Sequence, residues 1–356
     1  MKNILVTGGA GFIGSNFIHY IIRHEAAVKI VNLDALTYAG RLANLKDVQG
    51  DARYSFVHGD IRDQDLISQV ISQEDIDTIV HFAAESHVDR SILGPDAFVQ
   101  TNILGTFSLL EAARRGWSQP YDPAKVRFHH VSTDEVFGAL KPGEPAWTEE
   151  TPYAPNSPYA ASKAASDHLV RAYGHTYGLP YTITNCSNNY GPRQFPEKLL
   201  PLMILNAVQG KTLPVYGDGG QIRDWLYVED HCEAIHLVLR KGRPGETYNI
   251  GGGNQPTNLE VVKSLCEVMD RLLPDSPYKP HTQLIKFVAD RPGHDRRYDM
   301  DSTKIRRELD WKPHTILAKG LEMTAQWYLD NVAWVRDIGD QESYREWLEK
   351  NYEERK

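Results

Sequence analysis

The sequence predicts an α/β protein with a doubly wound parallel sheet in its first part and a smaller C-terminal α/β domain. Short runs rich in β-branched residues alternate with longer segments whose apolar residues recur at helical spacing. A parallel sheet covered by helices on both faces accounts for this alternation. Right-handed connections between the strands then favour the doubly wound (Rossmann) arrangement. The predicted strands are Asn3–Thr7, Val28–Leu33, Tyr54–His58, Thr78–Phe82, Val126–Ser132 and Tyr181–Asn185.

The regular alternation weakens towards the C-terminal part of the chain. The segment Gly191–Pro201 contains three prolines and is predicted as a loop. We assign residues 1–190, with a returning segment at about 223–250, to the Rossmann domain. Residues 191–222 and 251–356 are assigned to the smaller domain, which we expect to cover the carboxyl edge of the sheet, where ligands bind in such folds.

Composition and charge limit the class of protein. A hydrophobic content of 41% and a charged content of 24% are ordinary for a globular protein. The net charge of −8 argues against non-specific nucleic-acid binding, which needs a basic surface. The first predicted strand begins at Asn3, which leaves no room for a signal peptide, and no apolar run is long enough to span a bilayer. Because Cys186, Cys232 and Cys266 lack C-x-x-C spacing, we expect reduced thiols in a cytoplasmic protein without nucleic-acid or membrane partners.

A glycine-rich turn follows the first predicted strand. Gly8, Gly11 and Gly14 stand in a run that leads directly into a helical pattern, Ser15–Arg23. Such a turn lets the backbone approach a pyrophosphate, and the following helix presents its N-terminus to the negative charge. Asp34 closes the next strand about 20 residues later, where a carboxylate bonds a ribose hydroxyl and repels a 2′-phosphate. The motif predicts NAD rather than NADP, the alternative being a structural turn with an unrelated acid.

Tyr159 and Lys163 are four residues apart at the start of a predicted helix. Ser157 is expected as the N-cap and Pro158 as the first helical residue, so Tyr159 and Lys163 share one face. An ammonium group near a phenol favours the phenolate, and we expect it to lower the pKa of Tyr159 as a general base requires. The alternative, a surface tyrosine beside a solvated lysine, is disfavoured by the glycine-rich motif.

The glycine turn and the Tyr159/Lys163 pair together resemble the extended short-chain dehydrogenase/reductase superfamily. In that superfamily a serine or threonine closes a strand upstream of the tyrosine, and Thr133 stands at that position here. Two acids, Asp134 and Glu135, follow it, and this run is similar to that of the dTDP-glucose 4,6-dehydratase family, whereas related epimerases usually have small residues there. Further stretches that resemble the same family are Ala83–Asp89, Asn188–Pro192, Phe195–Leu199 and Asp290–Asp295.

The resemblance implies an NAD-dependent removal of water from the hexose of a nucleotide-sugar. Tyr159 would take the proton of the C4 hydroxyl, with Thr133 and Lys163 steadying the developing charge. Asp134 and Glu135 would supply an acid for the C6 oxygen and a base for the C5 proton, because like charges set the two pKa values apart. Which acid has which role stays open. Both can act only if the strand ends by Thr133, since adjacent strand residues face opposite ways, and a dipole-stabilised pair at a helix N-terminus is the alternative.

The resemblance also implies binding residues for both ligands, with NAD on the first domain and the nucleotide-sugar on the second. The cofactor-binding residues would be Gly8, Gly11, Phe12, Ile13, Gly14, Asp34, Ala35, Leu36, Thr37, Asp60, Ile61, Ala83, Ala84, Ser86, Thr101, Tyr159, Lys163 and Asn189. The substrate-binding residues would be Ser86, Thr133, Asn188, Lys198, Leu199, Pro214, Tyr216, Arg223, Asn258, Arg291 and His294.

Individual residues in these sets have further or alternative roles. Arg223 and Arg291 are the candidates for the substrate pyrophosphate. Asp60 is expected at the adenine, with a helix cap as its alternative role. His129 and His130 lie in a predicted buried strand and are expected as core residues, and no metal is expected.

The sequence also indicates an oligomeric state, and two other functions compete with dehydration. Two apolar helical segments, Phe98–Arg114 and Ser157–Tyr173, resemble the pair that forms a four-helix dimer interface in the superfamily, so a homodimer is expected. A 4-epimerase or decarboxylase on the same scaffold would leave Asp134 and Glu135 without a role. A non-catalytic NAD-binding sensor would not need Tyr159. The preference for a thymine or a uracil base is left open.

Overall fold

A computed structural model of the chain describes residues 1–290 and 293–349. Seven of its strands form one parallel sheet, and the remaining four form two small parallel pairs. The strands are β1 (Asn3–Thr7), β2 (Lys29–Asp34), β3 (Tyr54–His58), β4 (Thr78–His81), β5 (Arg127–Thr133), β6 (Tyr181–Cys186), β7 (Asn188–Tyr190), β8 (Leu213–Tyr216), β9 (Trp225–Tyr227), β10 (Thr247–Ile250) and β11 (Ile285–Val288). The six predicted strands are confirmed as β1–β6, with ends that differ by at most one residue.

The described residues also form thirteen α-helices and four short helical segments of other types. The α-helices are α1 (Phe12–His24), α2 (Gln64–Gln73), α3 (Val88–Leu93), α4 (Asp96–Phe98), α5 (Thr106–Gly116), α6 (Pro158–Tyr177), α7 (Leu199–Gln209), α8 (Val228–Lys241), α9 (Asn258–Leu272), α10 (Thr303–Leu309), α11 (Leu317–Asp330), α12 (Val332–Gly339) and α13 (Glu342–Leu348). The 3₁₀ segments are Leu42–Leu45, Asp134–Phe137 and His281–Leu284, and Val99–Gly105 is a π-helix. No helix among the described residues is long and apolar enough to cross a bilayer.

The main sheet has apolar layers on both faces, as the doubly wound prediction requires. Successive residues of β1 point to opposite faces, so Ile4 and Val6 join one buried cluster and Leu5 joins the other. The first cluster includes residues of α1 and α8, and the second includes residues of α2, α5 and α6. The doubly wound parallel fold is therefore confirmed.

The strand order places the functional edge of the sheet. The order is β10-β6-β5-β4-β1-β2-β3, so the chain moves outward from β1 in one direction and then continues from β4 in the other. At such a switch point the loops leaving β1 and β4 diverge and open a crevice beyond the carboxyl ends of the strands. The glycine turn after β1 lies at this point.

A separate apolar core supports the predicted second domain. Residues of α7, α9 and α11 pack together there, including Met203, Leu265 and Leu321. Within the intervening returning segment, β10 pairs with β6 of the main sheet and α8 packs against α1. We propose on this basis that the chain divides at about residues 190, 222 and 250.

Two local predictions need correction. The predicted loop Gly191–Pro201 ends early, because α7 begins at Leu199. Pro201 is compatible with this start because the N–H groups of a helix's first turn have no partner within the helix. The predicted helical segment Phe98–Arg114 is also not a uniform α-helix: it contains the π-helix Val99–Gly105 before α5 begins.

Candidate active site

A cleft of about 320 Å³ lies at the carboxyl edge of the main sheet, within the size range of small-molecule sites. Its walls come from the loops after the first six strands, β1–β6, and from the start of α6. The predicted site residues that line it are Gly8, Gly11, Phe12, Ile13, Gly14, Asp34, Ala35, Thr37, Asp60, Ile61, Ala83, Ala84, Ser86, Thr101, Thr133, Asp134, Glu135, Tyr159, Lys163, Asn188, Asn189 and Lys198.

The glycine turn has the close backbone contacts that a pyrophosphate cradle requires. Gly8 has a left-handed backbone with φ of +71°, and a Cβ at this position would lie 2.6 Å from the Ala83 nitrogen. A Cβ on Gly14 would collide with the Gly8 carbonyl oxygen. Gly11 directly precedes α1, so the first N–H groups of this helix border the cleft. These features fit the phosphates of a dinucleotide.

Asp34 lies at the end of β2 with its carboxylate held towards the glycine turn. Its two oxygens accept hydrogen bonds from Ala10 N at 2.9 Å and Leu36 N at 2.8 Å. Burial raises its pKa, while these two N–H groups act in the opposite direction. Each oxygen keeps a further lone pair, so the carboxylate fits a ribose hydroxyl donor. Leu36 itself does not line the cleft but fixes Asp34 through its backbone.

Asp60 borders the cleft but does not cap a helix. Its carboxylate accepts a hydrogen bond from Arg62 N at 2.8 Å and forms an ion pair with the Arg62 side chain at 2.7 Å. The cap of α2 is Asp63, which accepts from Leu66 N at 3.0 Å. The alternative cap role for Asp60 is therefore wrong, and its contact with adenine stays a prediction.

β5 ends at Thr133, which is the condition for both following acids to face one site. Asp134 begins a 3₁₀ turn, and Glu135 N donates to Thr133 Oγ1 at 3.3 Å. The Thr133 hydroxyl in turn donates to Asp134 Oδ1 at 3.2 Å. Because the backbone turns here, the strand alternation that would separate the two acids no longer applies.

The start of α6 places the tyrosine and the lysine at the same cleft. Ser157 Oγ accepts from Ala160 N at 3.1 Å, and Pro158 is the first helical residue, as predicted. The Tyr159 ring contacts the edge of Phe98. Lys163 Nζ donates to the carbonyl of Val131 at 2.8 Å, which fixes the ammonium at the end of β5.

The electrostatics of these groups differ from the sequence-based expectation. The pKa of Tyr159 is raised in this structure, not lowered as the Tyr159/Lys163 pair predicted. Burial raises the pKa of the phenol well above its usual value, the charges of Glu135 and Asp134 add to this, and only the Thr133 hydrogen bond among the main influences lowers it. Burial also lowers the pKa of Lys163 to about 8.

Asp134 is the more buried of the two acids that follow Thr133. Its side chain is buried, and burial followed by the nearby charge of Glu135 raises its pKa well above the usual value. Asp134 Oδ2 is buried without a hydrogen-bond partner among the described residues. A carboxylic acid in this position can donate a proton to a bound hydroxyl.

A buried polar cluster behind Lys163 was not predicted. His130 Nε2 lies 3.4 Å from Lys163 Nζ and 3.2 Å from Asp167 Oδ1. Asp167 Oδ2 accepts from Ser132 Oγ at 2.9 Å and from the Tyr153 hydroxyl at 2.7 Å. The sequence spacing could have indicated Asp167, because it follows Lys163 by four residues and so lies on the same helix face.

Comparison with known proteins gives matches over nearly the whole chain. The sequence profile of the family described as GDP-mannose 4,6 dehydratase matches residues 5–324. A dTDP-glucose 4,6-dehydratase of Shigella flexneri is 55% identical over 362 residues, 99% of each chain. One of Neisseria gonorrhoeae is 58% identical, covering 93% of this chain and 96% of its own. A crystal structure of a Streptomyces venezuelae dTDP-glucose 4,6-dehydratase with NAD bound has a TM-score of 0.86 and 47% identity, covering 94% of this chain and 99% of that one.

The chain belongs to the dTDP-glucose 4,6-dehydratase family. Its similarity to these dehydratases covers the Rossmann sheet, the cleft and the C-terminal part together. The resemblance expected from the Thr133, Asp134 and Glu135 run is thereby confirmed. The residues that the resemblance assigned to the substrate divide into two groups in the structure.

The first group lies in the cleft beside the catalytic residues. Lys198 Nζ donates to the carbonyl of Ser86 at 3.0 Å, joining two predicted substrate residues. Asn188 begins β7, and its side-chain oxygen is buried without a hydrogen-bond partner in the described part of the chain. Ser86, Asn188 and Lys198 all line the cleft.

The second group does not line the cleft, and among its described members only Leu199 packs against the second apolar core. Its members are Leu199, Pro214, Tyr216, Arg223, Asn258 and His294, whereas Arg291 lies outside the described residues. Arg223 is buried, and its guanidinium donates to the carbonyls of Ile222 at 2.7 Å and Asp295 at 2.8 Å. The guanidinium also lies over the Tyr298 ring, 4.1 Å from the ring centre. Its contact with pyrophosphate stays a prediction.

Among the described residues, fourteen further cleft residues of this dehydratase chain were missed as site residues, and Tyr38, Glu85, Phe195 and Glu197 are four of them. Arg90 joins two of them, because its Nε donates to Glu197 at 2.9 Å while its guanidinium covers the Tyr38 ring at 4.0 Å. Glu85 and Glu197 stand in stretches whose resemblance was noted, but nothing in their local spacing indicated a role.

Proposed function

We propose that the chain converts dTDP-glucose to dTDP-4-keto-6-deoxy-glucose with NAD as its cofactor. The observation that carries this proposal is the turn after β5, where Asp134 and Glu135 leave the strand directly after Thr133 and share one cleft with Tyr159. Loss of the C6 hydroxyl needs both an acid and a base, and this turn supplies two carboxyl groups at one place. The family membership supports the same substrate class.

The environment of each carboxyl group divides the two roles that the sequence left open. Asp134 is the buried one and its pKa is raised, so it holds the proton that the departing C6 oxygen needs. Glu135 is then the base for the C5 proton. Both roles follow the general rule that environment separates the pKa values of paired acids.

Each reacting group of the sugar has a residue for its proton. Tyr159 accepts the proton of the C4 hydroxyl, for which the positive charges of Lys163 and of bound NAD must favour its phenolate over the effect of burial. Thr133 holds the C4 oxygen in place. The chemistry that bound NAD supplies is acceptance of the C4 hydride and its later return to C6. Glu135 removes the C5 proton once C4 is a ketone, Asp134 protonates the leaving C6 oxygen, and Glu135 returns a proton to C5.

We also propose a cytoplasmic homodimer that binds the nucleotide-sugar across both domains. The segment Val99–Gly105 and α5 carry an exposed apolar row of Val99, Leu104 and Phe107. Exposed large apolar side chains that lie together on a helical segment are typical of a protein–protein interface. The three cysteines are free and buried, which is compatible with a reducing compartment.

The direct test is incubation of the purified chain with dTDP-glucose and NAD in heavy water. We expect a 4-keto-6-deoxy product with deuterium at C5, detected by mass spectrometry and NMR, because an exchanging carboxyl returns the C5 proton. Asp134→Asn should retain oxidation at C4 but lose most elimination, whereas Glu135→Gln should lose C5 exchange as well. UDP-glucose in parallel measures the base preference.

Two results would contradict the proposal. A lack of product with both nucleotide-sugars would exclude the dehydratase function. A product inverted at C4 that still carries its C6 hydroxyl would show a 4-epimerase and leave Asp134 and Glu135 without their roles.

A further inference from the structure

Ala10 of the glycine turn is held at both polar atoms of its backbone. Its N–H donates to Asp34 Oδ2 at 2.9 Å. Its carbonyl accepts two hydrogen bonds, from Arg41 N at 2.9 Å and from Asn44 Nδ2 at 2.8 Å. The two residues that fix this carbonyl therefore come from the segment after β2 and not from the turn itself.

The orientation of the Ala10 carbonyl determines the shape of the glycine turn. This carbonyl and the Gly11 N–H belong to one planar peptide, so they point in opposite directions. Gly11 N donates to the Gly8 carbonyl at 3.1 Å, and Gly11 lines the cleft directly before α1. A turn of this peptide would set the Ala10 oxygen against the Gly8 oxygen and displace the start of α1. The first N–H groups of α1 are the donors that a phosphate needs, so the two hydrogen bonds to the carbonyl protect the cradle.

Arg41 and Asn44 are themselves held by the C-terminal helix α12. Trp334 Nε1 donates to Asn44 Oδ1 at 2.8 Å, and Asp337 forms an ion pair with the Arg41 guanidinium. Asn44 is 2% exposed, and only one orientation of its amide satisfies both neighbours. The Ala10 carbonyl requires the NH₂ group, and the indole N–H requires the oxygen. Trp334 thus fixes which end of the amide faces the glycine turn, although it lies 290 positions from Asn44.

The same helix also reaches the segment after β7. Ile338 of α12 is fully buried in an apolar cluster with Phe195 and Tyr344. Phe195 lines the cleft, and the Tyr344 hydroxyl donates to the Pro196 carbonyl at 3.1 Å. The helix α12 therefore joins two segments that border the cleft, one after β2 and one after β7.

We propose that Trp334 is a positioning residue for NAD, which acts through Asn44 on the Ala10 carbonyl. Trp334 is not among the residues that line the cleft, so it affects the cofactor only through its neighbours. The Arg41–Asp337 ion pair supports the same segment but contributes less, because Asp337 is 63% exposed. Positioning of this kind does not depend on the chemistry proposed for Asp134 and Glu135.

The first experiment removes the indole N–H and keeps an aromatic ring. In Trp334→Phe the Asn44 amide loses the donor that fixes its orientation. We expect the NAD dissociation constant to rise by roughly three- to tenfold in calorimetric titration, because one buried hydrogen bond is lost. Trp117→Phe is the matched control, since Trp117 Nε1 donates to the Ile76 carbonyl at 2.7 Å and lies outside the cleft. Its NAD dissociation constant should equal that of the unaltered chain.

A double-mutant cycle separates positioning from a general loss of stability. Asn44→Ala removes the amide through which Trp334 acts, and we expect it to weaken NAD binding. Trp334→Phe should then cause no further loss of NAD affinity in the Asn44→Ala chain. A tryptophan that only stabilised the fold would cause the same loss in both backgrounds. Urea unfolding without NAD measures the stability of each variant separately.

A second experiment uses the unaltered chain and so does not depend on the folding of a variant. If α12 helps to shape the cradle, bound NAD must in turn stabilise α12, because coupling between two sites is reciprocal. Saturation with NAD should slow amide hydrogen exchange in Val332–Gly339 by roughly threefold or more. The exchange in Thr303–Leu309 of α10, which does not border the cleft, should slow by a smaller factor.

The outcomes distinguish this role from the proposed dehydration. Unchanged NAD affinity in folded Trp334→Phe, or an undiminished effect of Trp334→Phe in the Asn44→Ala chain, would overturn the positioning role. Exchange in α12 that does not respond to NAD would do the same. A lack of product from dTDP-glucose, with the expected changes in NAD affinity, would overturn the dehydration and support the role of Trp334.

Discussion

The Asp167 carboxylate opposes the effect of burial on the Lys163 ammonium. The two residues are four apart on α6, and His130 Nε2 lies between them, 3.4 Å from Lys163 Nζ and 3.2 Å from Asp167 Oδ1. Burial lowers the pKa of Lys163 to about 8, and the charge of Asp167 is the largest influence in the opposite direction. Asp167 therefore helps to keep Lys163 charged at neutral pH.

The first prediction concerns Asp167→Asn. The ammonium form of Lys163 is present below its pKa and is lost above it, so activity should fall as the pH rises through about 8. Removing the Asp167 charge lowers this pKa further, and the alkaline fall in kcat should begin at a lower pH. The measurement is the pH profile of kcat and of kcat/KM.

Asp65→Asn provides the matched control, because Asp65 is an exposed residue in the first turn of α2. Its pH profile should coincide with that of the unaltered chain. An unchanged alkaline limb in folded Asp167→Asn would contradict a role in holding the lysine charge.

The second prediction concerns cofactor choice at Asp34. Asp34→Asn removes the negative charge at the end of β2 and so removes its repulsion of a 2′-phosphate. NAD binding should weaken by about tenfold, or ~1.4 kcal/mol, while NADP binding changes less. Calorimetric titration with both cofactors measures the ratio.

Asp60→Asn tests whether this change belongs to Asp34 or to any acid of the cleft. Asp60 also borders the cleft, but it pairs with Arg62. It should alter NAD and NADP binding by the same factor. Equal loss of both cofactors in Asp34→Asn would contradict the proposed ribose contact.

The third prediction compares two glycines with different surroundings. A methyl group on Gly14 collides with the Gly8 carbonyl oxygen, so Gly14→Ala should lower the free energy of unfolding by about 1–3 kcal/mol and remove most of the NAD-induced stabilisation. A Cβ on Gly50 meets nothing within 4 Å, so Gly50→Ala should change stability by less than about 1 kcal/mol. Urea unfolding with and without NAD measures both, and equal stability of the two variants would refute the close-approach argument.

The fourth prediction concerns the proposed dimer. Phe107 is 42% exposed on α5, and Phe107→Arg places a charge in the apolar row that we propose to be buried between two copies. Sedimentation equilibrium should show a shift from dimer to monomer. Phe287→Arg changes a phenylalanine that is 59% exposed on β11 and should leave the mass unchanged. A monomeric unaltered chain, or a dimeric Phe107→Arg, would exclude this interface.

The local motifs could be predicted because their function follows from neighbours in sequence. The glycine turn after β1, Asp34 at the end of β2, and the Tyr159/Lys163 pair each belong to one strand or one helix start. Backbone geometry relates residues within such an element directly, so their spacing was sufficient to place them. The six strands were predicted from short runs rich in β-branched residues, and five of them are largely buried, whereas the edge strand β3 is partly exposed.

Other parts of the site depend on contacts between distant segments. The sequence shows Asp167 one helical turn after Lys163. Its contact with His130 of β5 forms only because the sheet and α6 pack together. Arg90 and Glu197 are 107 positions apart and meet at the cleft. Helical or strand spacing carries no information on such pairs.

The sequence by itself determined the doubly wound sheet, the nucleotide cradle and the identity of the acid, base and tyrosine candidates. The tertiary structure alone decided how these groups are charged. Burial by remote elements raises the pKa of Tyr159, where local spacing had predicted a decrease, and it also raises the pKa of Asp134. The physical reason is that desolvation depends on everything packed around a group, whereas a motif specifies only the neighbours along the chain.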